Sequence, residues 1–209
     1  HEKALALCPV TDIDHRFQIL VTLANARRDY FGFLEGNQEQ QDLLNSAIDT
    51  YREALTLGPK LKRSPPTEPA RAQQCLAEAL RKRAHPGDRE EARTLLQQSL
   101  IIRTERLFPV ARAESLMRLA QLEWDCHLDG AEGALDAARA AAVECQTLIG
   151  KGRSPAVEQT VGALLAQIDR ALEQRSVDAT GRGTPGKPLL LHILDEVQQT
   201  ASDLPPLDP

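Results

Sequence analysis

Aromatic residues are scarce in this 209-residue chain: four Phe, two Tyr and one Trp, or 3% of the total. A core so poor in rings must be filled by Leu, Ala, Ile and Val, which suits helices packed at close range. An excess of basic residues is also lacking. Asp and Glu number 30 against 25 Lys and Arg, a net charge of −5, which excludes a general nucleic-acid binder with a dominant basic face. No apolar run approaches the roughly 18 residues needed to span a bilayer, so no membrane partner is expected. The four cysteines (Cys8, Cys75, Cys126, Cys145) show no CxxC spacing. They read as buried thiols in a reducing compartment. Cys126 and His127 are adjacent, and neighbouring helical residues point about 100° apart, which argues against a shared metal. Five scattered histidines form no nucleophile–base pairing, and no segment alternates at period two as a strand would. The expectation is an all-α protein with no catalytic residue, no metal and no cofactor.

What the chain does have is a pattern recurring roughly every 40 to 50 residues. A Leu-Ala helix is followed by an Ala-rich helix and then a Pro or Gly break. The first member reads LANARRDYF (23–31), LAEALRKR (76–83) and LAQLEWD (119–125). The second reads AIDTYREALTLGP (47–59), EARTLLQQSL (91–100) and ALDAARAAAVECQTL (134–148). One helical hairpin cannot bury its apolar stripe alone, so such a repeat predicts an α-solenoid offering an extended binding surface rather than an active-site pocket.

Helical periodicity and stop signals divide the chain further. The EKALAL segment at 2–7 reads as the remnant of a preceding helix, since EKALALCP resembles REALTLGP; on that reading the chain is a fragment of a longer protein. Helices are expected over about 14–33, with Asp14 as N-cap, and over 38–57, stopped by Gly58-Pro59. Further pairs are expected over 70–84 with 88–107, and over 109–128 with 130–149. A closing helix is expected over 154–175. KLKRSPPTEP (60–69) reads as a loop or short insertion. The expected organisation is a repeat domain over 1–175, a flexible linker over 176–188, and an amphipathic helix with a Pro-rich tail over 189–209.

The repeats resemble tetratricopeptide repeats. Leu20, Leu23 and Ala24, with Ala47, Tyr51, Ala54 and Pro59, carry the clearest match; Leu76, Ala77, Ala92 and Leu96, then Leu119, Ala120 and Ala138, carry the next two. Their spacing departs from the family's 34 residues: Ala24 to Ala77 is 53 and Ala77 to Ala120 is 43. Lengthened units of this kind are similar to those of large multidomain signalling proteins. The resemblance implies hairpins with small residues at the helix crossings, a C-terminal capping helix, and a concave face lined by the first helices. Projected from each Leu-Ala pair, that face takes Gln18, Asn25 and Arg28 from the first hairpin, along with Val21. The second gives Arg71, Gln74, Glu78 and Arg81, and the third gives Gln121 and Trp124, along with Glu114 and Met117. Gln167 and Arg170 extend the row. Amides and guanidinium groups suit an extended peptide. A subclass that grips C-terminal carboxylates is matched only at Asn25 and Arg118, not at Val21, Cys75 or Glu114.

Two motifs lie in the C-terminal stretch. Gly181 to Lys187 satisfies the GxxxxGK half of a phosphate-binding loop, but Pro188 replaces the hydroxyl and no strand precedes it, so a linker is the expected reading. Leu190, Leu191, Leu194 and Val197 fall on one helical stripe and form a candidate docking helix, available for self-association or for covering apolar surface. The expected function is a non-enzymatic cytoplasmic scaffold or adaptor, with the nucleus left open, binding a protein or peptide. The alternative is a regulatory or self-association segment of a larger signalling protein with a separate NTPase or protease domain.

Overall fold

The computed structural model describes residues 2–31, 38–152 and 155–181. Among these residues every regular element is helical, with eight α-helices, one 3-10 turn and no strand. The helices are α1 Glu2–Leu7, α2 Ile13–Phe31, α3 Gln38–Leu57, α4 Thr67–Arg83, α5 Asp88–Ile102, α6 Pro109–Leu128, α7 Ala134–Gly152 and α8 Pro155–Gly181. The chain divides into two compact units, His1–Ile168 and Asp169–Pro209. The described part of the second unit is the end of α8, to Gly181.

In the first unit, consecutive helices pack as pairs: α2 on α3, α4 on α5, and α6 on α7. Next, α3 meets α4 and α5 meets α6, while lighter contacts join α2 to α4 and α4 to α6. Alanine makes this possible. Ala24, Ala47, Ala77, Ala92, Ala120 and Ala138 are all between 0% and 1% exposed. A methyl group at each crossing lets two helix axes approach to about 8–10 Å. Around those crossings Leu44, Ile48, Tyr51, Leu76, Leu96 and Leu122 belong to one core cluster running from the first pair to the third. Burying each large aliphatic side chain contributes about 1.5–3 kcal/mol. The first unit thus rests on aliphatic burial, with Tyr51 and Phe17 the only rings fully enclosed among the described residues.

Helix ends differ from the sequence pattern in several places; α4 begins at Thr67, inside the stretch expected as a loop, and α7 runs on to Gly152. Asp14 is not the N-cap of α2. Asp12 is, accepting from the His15 N–H at 3.2 Å. The helix expected over 88–107 stops at Ile102. There the buried guanidinium of Arg103 turns inward to Gln74, to Ser115 Oγ at 3.0 Å and to the Ala111 carbonyl at 3.1 Å. Burial pulls the Arg103 pKa below the usual guanidinium range. The helix expected from 130 begins instead at Ala134, because Gly130 (φ +84°) and Gly133 (φ +74°) both adopt left-handed backbone that ends regular pairing. Lastly, α8 continues to Gly181, so 176–181 is helical where a linker was expected.

Candidate functional site

Helix α4 turns Leu76 and Leu80 into the core, which leaves Gln74, Glu78 and Arg81 on the side toward α6. Glu78 is only 7% exposed and is ringed by cations. Arg118 Nη1 lies 2.6 Å from Oε2, while Lys82 Nζ and Arg81 Nη2 lie 3.6 and 3.8 Å from Oε1. Oε2 has close charge but no well-aligned hydrogen bond, so Arg118 holds it by Coulomb attraction. Arg81 Nη1 in turn donates to Asp125 Oδ2 at 2.6 Å, and Arg89 donates to the Asp125 carbonyl at 2.7 Å. Signs alternate along the whole row, tying α4 to α6 and α5 to α6.

Beside the Arg81–Asp125 pair, α6 and α8 enclose a groove of about 300 Å³. Gln121 and Trp124 face Thr160, Ala163, Leu164 and Gln167 across it. Trp124 is half-buried, and its ring centroid lies 5.5 Å from that of His127. The buried Arg81 Nε–H has no acceptor among the described residues. One groove therefore combines an aromatic face, an aliphatic floor and two primary amides, beside the Arg81 guanidinium that is paired with Asp125. A primary amide donates and accepts at once, as a peptide backbone requires, and a half-buried Trp is a rigid anchor of large area.

Four of the residues projected onto the concave face meet in this groove: Arg81, Gln121 and Trp124, with Gln167 opposite. The others lie elsewhere. Asn25 accepts the Tyr51 hydroxyl at 2.6 Å and serves the core. Arg28 is bonded to its neighbour Asp29. Gln74 is taken by Arg103, and Glu78 by its three cations. Gln18 is half-buried on α2 and Arg71 exposed on α4, and neither lines the groove. Of the residues projected alongside them, Val21 and Met117 are buried. Asp125, Thr160, Ala163 and Leu164 were not foreseen. Asp125 does stand four residues after Gln121, one turn on, which is the signal that could have found it. Leu190, Leu191, Leu194 and Val197, and the GxxxxGK stretch after Gly181, lie outside the described residues.

A larger cleft of about 670 Å³ lies between α5 and the α6–α7 turn. There Arg93 clasps the buried Glu123 with two bonds of 2.5 and 2.9 Å, and that partnership raises the Arg93 pKa. Cys8, Cys126 and Cys145 are buried and Cys75 is half-buried, all as free thiols. Burial raises the Cys126 pKa and pushes Cys145 up to about 11. Among the described residues no cluster of three or more His, Cys, Asp or Glu side chains is placed to hold a metal ion. None of the described helices is long and apolar enough to cross a membrane.

No protein-family description matches the chain, and no curated protein does. A solved structure, "DHF79 filament", is similar over 83% of this chain and 92% of its own, at 20% identity and a TM-score of 0.40. That likeness is too slight to carry an argument about function.

Proposed function

We propose that this chain is a non-catalytic protein-interaction module: an α-solenoid of tetratricopeptide-like hairpins, closed by α8, that binds a peptide segment of a partner across its first helices. The observation that carries this reading is the meeting of Arg81, Gln121 and Trp124, from two different first helices, in one groove with Gln167. Arg81 and Asp125 neutralise each other at 2.6 Å, so the groove has no strong net charge to select by. Recognition then falls to the Trp124 face, the Leu164 floor and the amides, which favours an extended segment with one apolar anchor. Cysteines spaced without a pairing pattern suit the reducing interior of the cell, and we assign the module to the cytoplasm.

Panning a displayed library of random dodecapeptides on the full chain tests the reading. Selected peptides should share an apolar anchor. They should bind Trp124→Ala at least about thirtyfold more weakly, the loss of about 2 kcal/mol typical of a buried aromatic anchor. Unchanged affinity in both Trp124→Ala and Gln121→Ala would remove this groove from consideration.

A further inference from the structure

The 670 Å³ cleft between α5 and the α6–α7 turn takes no part in the Trp124 groove, and its charges do not balance. Two arginines and four acids line it, a net charge of −2. Both arginines are already engaged: Arg93 clasps Glu123, while Arg89 pairs with Asp129 and bonds the Asp125 carbonyl. Glu90 and Glu132 are the surplus. Each is exposed, and neither has an ion-pair partner among the described residues. Glu90 stands in the first turn of α5, where the helix dipole lowers the cost of an unpaired carboxylate. Glu132 stands in the α6–α7 turn, between Gly130 and Gly133.

The same turn and the start of α7 give the cleft a small apolar wall. Ala131, Gly133, Ala134 and Ala137 line it and present nothing longer than a methyl group. Ala131 and Ala137 are exposed, and a Cβ at Gly133 would meet nothing within 4 Å, so the wall stands open. From α5, Gln97 adds an exposed primary amide, donor and acceptor in one group.

We infer that this cleft is a second docking surface, for a basic segment of a partner protein whose Lys or Arg side chains lie along the alanine wall and end on Glu90 and Glu132. Charge complementarity selects the occupant. Lysine and arginine carry an aliphatic stem below a charged head, so the stem covers the alanines while the head meets a carboxylate. An acidic segment is repelled by the surplus charge. A wholly apolar one strips water from two carboxylates and gives them no partner. Arg89 and Arg93 keep their own acids throughout, so the incoming cations displace nothing.

The same displayed library separates this surface from the Trp124 groove. Panning on the full chain should yield a class of peptides with two or more Lys or Arg. Peptides of that class should bind a Glu90→Gln/Glu132→Gln chain about tenfold more weakly, with the deficit shrinking at high salt. Any basic peptide is drawn to a chain of net charge −5, so a matched control is needed. Glu39→Gln/Glu158→Gln removes two exposed first-turn carboxylates from α3 and α8 and should leave affinity unchanged. Ala137→Leu fills the wall without altering charge and should also weaken the class. Every substituted side chain is exposed, so all three variants should melt with the native protein. Failure to enrich a basic class overturns the inference, as does native affinity in Glu90→Gln/Glu132→Gln or in Ala137→Leu. An equal loss in the Glu39/Glu158 control reduces the binding to bulk charge and overturns it too. Loss of the class on Trp124→Ala would reassign it to the other groove and equally overturn this one.

Discussion

Replacing Arg93 with Met leaves Glu123, only 5% exposed, as a buried carboxylate whose two oxygens have lost their shared partner. Breaking a buried pair in this way costs about 3–5 kcal/mol in the general case. Two facts reduce it here. The Arg93 side chain is 31% exposed, and both residues line the 670 Å³ cleft, so water can reach the carboxylate. We therefore expect a loss of about 2–3 kcal/mol, equivalent to a fall in melting temperature of about 4–12 °C for a unit of this size. Replacing both partners, Arg93→Met with Glu123→Leu, removes the stranded charge and should return stability to within about 1 kcal/mol of native. Trp124, the only tryptophan, directly follows Glu123 and reports on this region in urea titrations followed by fluorescence and by circular dichroism at once. If Arg93→Met lost less than about 0.5 kcal/mol, or the double variant did no better than the single, the clasp would not be what holds α5 to α6.

Three further outcomes follow from the same physics. The Asp14 carboxyl is held at about 2, below its ordinary 3.8, first by the Arg63 backbone N–H and then by those of Ser64 and Lys62, against the opposing effect of burial. A depressed acid gives stability above its unfolded value that is lost as pH falls toward its folded one. Tryptic cleavage after Lys62 and Arg63 should therefore be fast in Asp14→Asn at neutral pH, and hydrogen exchange of the native loop should accelerate only between about pH 4 and 2. Ala47→Leu puts three extra carbons at a crossing with 0% exposure and should cost about 1–3 kcal/mol in thermal unfolding, while Ala26→Leu, on the exposed side of α2, should cost little. Under native conditions alkylation read by mass spectrometry should reach half-buried Cys75 first and Cys145 last, since burial raises the Cys145 thiol to about 11.

Helix positions were legible in the sequence because burial here is periodic and monotonous. Every Leu-Ala pair that set the repeat has its Ala at a helix crossing, and the stripe from Val157 to Ile168 is buried as its spacing implied. Helix ends were less legible, because long-range contacts decide them. Nothing local says that Arg103 will leave the helix to reach Gln74 and Ser115, or that Asp14 will serve a loop about fifty residues away. The same limit applies to the groove. Helical projection put Arg81, Gln121 and Trp124 on one face, but it also put Asn25, Gln74 and Glu78 there. Periodicity tells which way a side chain leaves its helix. It does not tell whether a neighbour such as the Tyr51 hydroxyl has already taken it.

The last turn of α5 is finished by the next pair of helices. Arg112 of α6 donates to the Leu100 and Arg103 carbonyls at 3.0 and 3.3 Å, while its Nε reaches Glu144 of α7 at 2.8 Å. Carbonyls that a helix would otherwise leave to water are thus satisfied by a side chain borrowed from beyond the break. Repeat arrays often fray from one end, a pair at a time. Here α6 cannot detach without uncapping α5, and α5 cannot unwind without freeing a guanidinium that also steadies α7. The second and third pairs should therefore open together as one cooperative block, to which the shared core cluster and the Arg52–Glu91 and Arg83–Asn45 bonds also tie the first pair.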